Sequence, residues 1–432
     1  MHPVPEIKIT DQAGASLENQ RNGVKNMYNF DEIIDRRHTN AMNTDGFRDY
    51  IFHADETMKF PYKDEEFIRM WVADMEFATP DVVIDGMRER LDKRIFGYTR
   101  VFEKSYYEAF SAWCQRRYGW TFDRKELVMS NGIIPALYEM VEYICKPDEK
   151  VLFLTPSYAY FKYAADFSKR GYVCSDLHDE DGYYTIDFDD LAKKAADEKT
   201  TLFILCNPHN PVGRVWTKEE LEKMGDICLK HNVVIMDDEI HCDFTYPGFK
   251  FTSFMTLDKK YHNSLVLYTS PSKTFNVAGL QPANIIIKNQ ELRAAYRKAN
   301  AAAGYSQGSI MGQVAVKSVY TKGDEWVNEL VEYITGNMNY MRDFVKENFP
   351  KAQFVDPEGT YLTWVDFSGY GFTDEELEHI MVEEAHLWLD SGKVFGPATA
   401  QFERFNLACP RATVVKAMEQ LKAALDNHTK WA

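Results

Sequence analysis

Short runs that are apolar at every position alternate, along the middle of this chain, with segments that are apolar at every third or fourth position. The runs are residues 151–154, 202–205, 233–236, 265–268 and 285–287. Unbroken apolarity over three or four residues, without alternation, predicts strands buried on both faces, as in parallel sheets covered by helices on either side. Helical spacing follows. After Gly213, which lets the backbone turn, Thr217 and Glu220 have the spacing of a capping box. Leu221, Met224, Ile227 and Cys228 then share one face. Strands and helices alternating from about 81 to 320 predict an α/β fold with a mostly parallel sheet.

The pattern changes on both sides of that stretch. Residues 1–27 are polar and read as a flexible N-terminal arm, and residues 28–80 are aromatic and irregular. After 320 come a long helical segment at 324–349, a strand of mixed alternation at 360–367, and a helix near 374–385. A last helix carries its buried stripe on Val414, Met418, Leu421 and Leu425. This divides the chain into a large domain over 81–320 and a smaller α+β domain over 321–432.

Composition narrows the class. The chain has 432 residues, 45% hydrophobic and 14% aromatic, enough for a large core and more than one domain. A net charge of −16 with no basic stripe argues against nucleic acid and anionic membranes as partners. No segment has the roughly 18 uninterrupted apolar residues of a membrane span. Seven cysteines form no CxxC pair, and Cys206 and Cys228 read as small core residues. Reduced cysteines and no secretion signal imply the cytoplasm, and no metal is expected.

Three of the apolar runs release a polar group at their C-terminal ends. The first leads to Asn207-Pro208-His209-Asn210-Pro211-Val212-Gly213, the second to Asp237-Asp238-Glu239-Ile240-His241, and the third to Ser270-Pro271-Ser272-Lys273-Thr274. In open parallel sheets that edge is where ligands bind. An amide, a carboxylate and an amine are the trio that pyridoxal 5′-phosphate (PLP) requires. The lysine forms a Schiff base, the acid keeps the pyridine nitrogen protonated, and the amide bonds the ring oxygen O3′. A lone lysine, aspartate or Asn-Pro is far more often a surface charge, a helix cap or a turn. The order and placement of all three carry the reading.

The chain also resembles the fold-type I PLP enzymes of the class I/II aminotransferase superfamily, and within it the MalY/PatB-type cystathionine β-lyases (C–S lyases). The resemblance runs from about Tyr28 to Leu425. It rests on Tyr28-Asn29-Phe30-Asp31 with Arg36-Arg37, on Trp71-Val72-Ala73-Asp74-Met75, and on Phe96-Gly97-Tyr98-Thr99-Arg100. The 206–213, 238–241 and 272–276 segments and Asn406-Leu407-Ala408-Cys409-Pro410-Arg411 complete it. It implies a large PLP-binding domain with a seven-stranded type of sheet, and a small domain to which 28–80 contributes along with the active-site entrance.

Residue by residue, the resemblance makes Lys273 the Schiff-base lysine and Asp238 the partner of the pyridine nitrogen. The Asn-Pro-x-Gly pattern selects Asn210 over Asn207 as the O3′ amide. Tyr158 becomes the aromatic stacked on the ring. Gly132, Ile133 and Ile134 open a helix at the phosphate, with Ser270 and Ser272 closing the cup. His241 is either cofactor-proximal or a structural histidine. Tyr98 matches a residue lent across a homodimer with a shared site. Arg404, in an Arg-x-Asn-x-Ala pattern, matches the substrate-carboxylate arginine, while Arg411 is read as structural and Asp237 as a loop or cap residue. Two features depart from the pattern. Gln281 stands where many aminotransferases have an arginine, and the segment between Arg37 and Trp71 is long.

The activity implied is PLP-dependent β-elimination from cystathionine or a related sulfur amino acid, giving pyruvate, ammonia and a thiol. An aminotransferase using the same lysine, acid and arginine is the alternative, and a non-enzymatic PLP-binding module the third possibility.

Overall fold

The computed structural model describes residues 27–46, 63–100, 103–304 and 308–428. The expected flexible arm, apart from Met27, and residues 47–62 of the long 38–70 segment lie outside the described residues. In chain order the strands are β1 (Ile68–Arg69), β2 (Leu127–Ser130), β3 (Lys150–Thr155), β4 (Gly171–Glu180), β5 (Tyr183–Ile186), β6 (Thr200–Cys206) and β7 (Val234–Asp238). They continue with β8 (Leu265–Thr269), β9 (Ala283–Ile287), β10 (Gln353–Val355), β11 (Leu362–Asp366), β12 (Leu387–Trp388), β13 (Asp390–Ser391) and β14 (Phe402–Asn406).

The large sheet has the order β2-β9-β8-β7-β6-β3-β4-β5. Strands β8, β7, β6, β3 and β4 run parallel. Their apolar runs are explained by two cores. Leu152, Phe203, Ile235 and Leu267 enter one hydrophobic cluster, while their neighbours Phe153, Ile204, Met236 and Val266 enter another on the opposite face. The runs show no alternation because both pleat directions meet helices. One expectation is corrected. β9, which contains 285–287, is antiparallel to β8 and to β2. Apolarity on both faces reports burial and not direction. Direction follows from the connection: 270–282 holds only a four-residue helix and one 3-10 turn, so the chain returns beside the strand it left.

The capping box is present: Glu220 N–H donates to Thr217 Oγ1 at 3.1 Å, and Thr217 N–H to Glu220 Oε2 at 2.8 Å. Past the large sheet, the helix Asp324–Asn348 buries Trp326, Leu330, Ile334 and Met341. A second, antiparallel sheet follows with the order β10-β11-β14-β13. The last helix, Arg411–Asp426, buries Val414, Met418, Leu421 and Leu425, the stripe that its spacing predicts. β1 pairs in parallel with β12, which sets residues 68–69 beside 387–388. The early aromatic segment therefore packs against an element more than 300 residues later. No described helix is long and apolar enough to cross a membrane.

Candidate active site

The C-terminal ends of β6 and β7, the turn after β8 and the β13–β14 corner enclose a cavity of about 900 Å³. Lys273 lies on the short helix Pro271–Thr274, which starts directly after β8 through the cap residue Ser270. Its Nζ borders the cavity and donates to the carbonyl of Ala73 at 2.6 Å. Burial pulls its amine down to about 8, and Arg404 adds to that against the opposing pull of Asp74 and Asp238. The turn is fastened by Asn276. Its Nδ2 donates to the carbonyls of Met75 (3.0 Å) and Phe77 (2.9 Å), and its Oδ1 accepts from Met75 N–H at 3.1 Å.

Asp238 ends β7, buried and facing the cavity. One oxygen accepts from Ile240 N–H at 3.2 Å. Burial pushes its carboxyl up to about 7, with Lys273 opposing. Asp237 is neither a loop nor a cap residue, contrary to the sequence expectation. It is fully buried inside β7, and strand alternation turns it away from the cavity. There burial raises both it and Glu239. A pair of adjacent acids reads as surface or turn from composition alone, and only the packing places one inside.

Asn210 borders the cavity, whereas Asn207 does not and instead donates to Thr252 O at 2.9 Å. Tyr158 lines the wall, stacked on Tyr160 with centroids 5.1 Å apart. Gly132, Ile133 and Ile134 also line it. Gly132 precedes the helix Ile133–Ile144 at φ 111°, a conformation that a side chain would strain. The helix thus aims its free N–H groups at the cavity. Ser272 borders the cavity, but Ser270 is buried behind it: its Oγ accepts Ser272 N–H at 3.1 Å and lies 2.5 Å from Pro282 O. His241 is buried at the cavity wall, edge-on to Tyr361 at 5.8 Å, and its Nδ1 has no hydrogen-bond partner. Burial, with Lys273 and Arg404 nearby, holds its imidazole well below the ordinary range, so it is neutral. Tyr98 is 99% exposed on this chain and does not border its cavity.

Arg404 is buried on β14. Its Nη1 donates to Asn210 Oδ1 at 3.1 Å and its Nη2 to Trp71 O at 2.7 Å, and it forms an ion pair with Asp390. Its Nε has no partner. Arg411 starts the last helix and donates to Asn337 Oδ1 at 2.6 Å, away from the cavity.

Sequence reasoning missed two features. One is Asp390, set opposite Arg404 across β13–β14. The other is the carbonyl rail of 71–75, on which Arg404, Lys273, Asn276 and Asn406 all converge. Asp390 left a faint signal, an acid closing the apolar run 387–389. The rail left none, because backbone acceptors have no residue code.

Residues 65–421 match the family "Aminotransferase class I and II". The chain belongs to this family. It is 38% identical to "Cystathionine beta-lyase PatB" of Bacillus subtilis (strain 168), over 82% of this chain and 92% of the relative. "Protein MalY" of Escherichia coli (strain K12) is 28% identical over 92% and 99% of the two chains. Among solved structures, the PLP-bound C-S lyase from Staphylococcus hominis is 41% identical, with a TM-score of 0.85 over 93% of this chain and 99% of that one.

Proposed function

We propose that this chain is a PLP-dependent carbon–sulfur β-lyase, converting a cysteine thioether and water to a thiol, pyruvate and ammonium. The observation that carries the reading is the convergence of Lys273, Asp238, Asn210 and Arg404 on one cavity, in a chain this similar to a PLP-bound C–S lyase.

The residues present fit the cofactor. Asp238 is a buried carboxyl with one backbone N–H against it, so it suits a protonated ring nitrogen. Asn210 would hold O3′ and Tyr158 the ring face. The amides after Gly132, with the Ser272 hydroxyl, would hold the phosphate, and Ser270 would orient Ser272. Gln281 borders the cavity where an arginine would otherwise add charge, which leaves the phosphate to neutral donors and the helix N-terminus. Neutral His241, with a free Nδ1, is placed to accept or donate one hydrogen bond at the cofactor's edge. When bound, the cofactor supplies an electron sink for the charge left at the substrate Cα.

Lys273 takes the Cα proton. An amine titrating near 8 is neutral in part at neutral pH, which an ordinary lysine is not. Arg404 holds the α-carboxylate. With Nη1 on Asn210 and Nη2 on Asp390, it can grip two oxygens only if Asp390 yields. The leaving thiolate, whose thiol has a pKa of about 8.5, needs no strong acid.

Tyr98, in a segment with exposed Ile95 and Phe96, supports a homodimer in which each chain completes its neighbour's site. Seven unbridged cysteines support a reducing compartment, the cytoplasm.

The test is incubation of the holoenzyme with L-cystathionine and no keto acid. Continuous release of pyruvate and thiol is expected. Turnover strictly dependent on a keto acid, with no thiol from any sulfur amino acid, overturns the lyase in favour of the aminotransferase.

A further inference from the structure

The wall of the cavity away from Lys273 carries an ionisable group, Glu403, that the reaction described above does not use. Glu403 precedes Arg404 on β14, and strand alternation sends the two side chains to opposite faces, yet both border the cavity. The cavity therefore wraps around the two-residue edge strand β13. Glu403 is 4% exposed, and its side chain makes no hydrogen bond or ion pair with the described residues. Its charged neighbours are Asp390, Glu378 and Lys393, two acids to one base. Lys393 is already engaged with Glu378 at 3.4 Å, and Asp390 with Arg404. A buried carboxyl left without a partner is costly, and it is retained where a ligand supplies the missing donor. Met381 and Val394 also border the cavity and offer apolar contact to a short methylene stem.

From this geometry we infer that Glu403 is a specificity-determining residue that receives a protonated amine on the sulfur substituent of the substrate. Through this residue, thioethers whose departing half carries an ammonium group two or more carbons beyond the sulfur, the cystathionine of the lyase reading among them, are favoured over uncharged ones of the same shape. The inference rests on the lyase reading, since it assigns a place to the departing half. Burial, with Asp390 and Glu378, raises the Glu403 carboxyl to about 8 against the pull of Lys393. An incoming ammonium would draw it into the ionised form and gain a charge-assisted hydrogen bond.

The experiment compares two isosteric compounds on the holoenzyme, S-(2-aminoethyl)-L-cysteine and S-propyl-L-cysteine, which differ only in a terminal ammonium against a methyl group. The expected kcat/KM ratio favours the amine by tenfold or more. In Glu403→Gln, which keeps the shape and removes the ionisable group, the ratio should fall toward one. A wild-type ratio of one or below overturns the inference, and a ratio that survives in Glu403→Gln overturns the assignment to Glu403. Should Glu403→Gln not fold, Glu403→Asp, with the charge on a shorter arm, must lower the ratio. If neither compound is eliminated, the ratio of their dissociation constants on the holoenzyme, read by calorimetry, decides in the same way. Elimination of S-propyl-L-cysteine without any preference for the amine defeats this inference and leaves the lyase reading standing. Absence of elimination from every thioether defeats the lyase reading, while the calorimetric ratio still tests the subsite.

Discussion

At the end of the large sheet, each reactive group already has a fixed contact: Lys273 with Ala73 O, Asp238 with Ile240 N–H, Asn210 with Arg404. Across the cavity, on β13 and β14, the charges are less settled. Asp390 occupies the arginine that would hold a substrate carboxylate, and Glu403 has nothing to bond. The first region does work common to every substrate, so its groups can be satisfied before any ligand arrives. The second receives groups that arrive with the substrate, the α-carboxylate at Arg404 and the varying substituent at Glu403, and satisfying Glu403 in advance would leave nothing with which to discriminate. Pre-organisation on one side and open valence on the other separate chemistry from choice.

The comparison breaks if the first region tolerates loss. Asp238→Ala should retain the cofactor on Lys273 but lose turnover by about 10²-fold or more, because the ring nitrogen would lose its counter-charge. Borohydride reduction followed by peptide mapping, together with steady-state rates, checks both halves of this statement. Near-normal turnover would remove Asp238 from the machinery, and a label on another lysine would remove Lys273.

A smaller effect sharpens the second region. Asp390→Asn frees Arg404 from its internal carboxylate, so KM for the amino-acid substrate should fall, by up to about tenfold (~1.4 kcal/mol). The empty protein should also melt at a lower temperature, since a buried guanidinium loses its charge partner. A rise in KM would make Asp390 a positioning residue for substrate rather than a competitor.

The smallest signal concerns one proton. In cofactor-free protein, acylation of Lys273 should follow its neutral form, which grows as pH rises through about 8, while exposed lysines titrate near 10.4. Mass-spectrometric labelling across pH 6–11 reads the midpoint. A midpoint near 10 would show that burial does not set this amine.

How much of the site was legible follows the same division. Asn210, Asp238 and Lys273 each follow an apolar run, so a local pattern announces them. Ser270 carried an equally clear motif, yet it lies behind the cavity wall, and Ser272 beside it borders the cavity. A motif gives a residue's neighbourhood in the chain and not the direction of its side chain.

The amino-acid sequence by itself determined the buried strands, the capped helix after Gly213, the apolar stripe of the last helix and the order of amide, acid and amine. These are set by contacts within a few residues, or by burial alone, and periodicity records both. Only the tertiary structure decided that β9 runs antiparallel, that Asp237 is interior, and that Lys273 bonds a carbonyl 200 residues away. It also decided that Asp390 faces Arg404 and that Glu403 stands unpartnered at the cavity. Those placements depend on which distant segments pack together, through register and connection length, and no local pattern of apolar and polar residues contains that information.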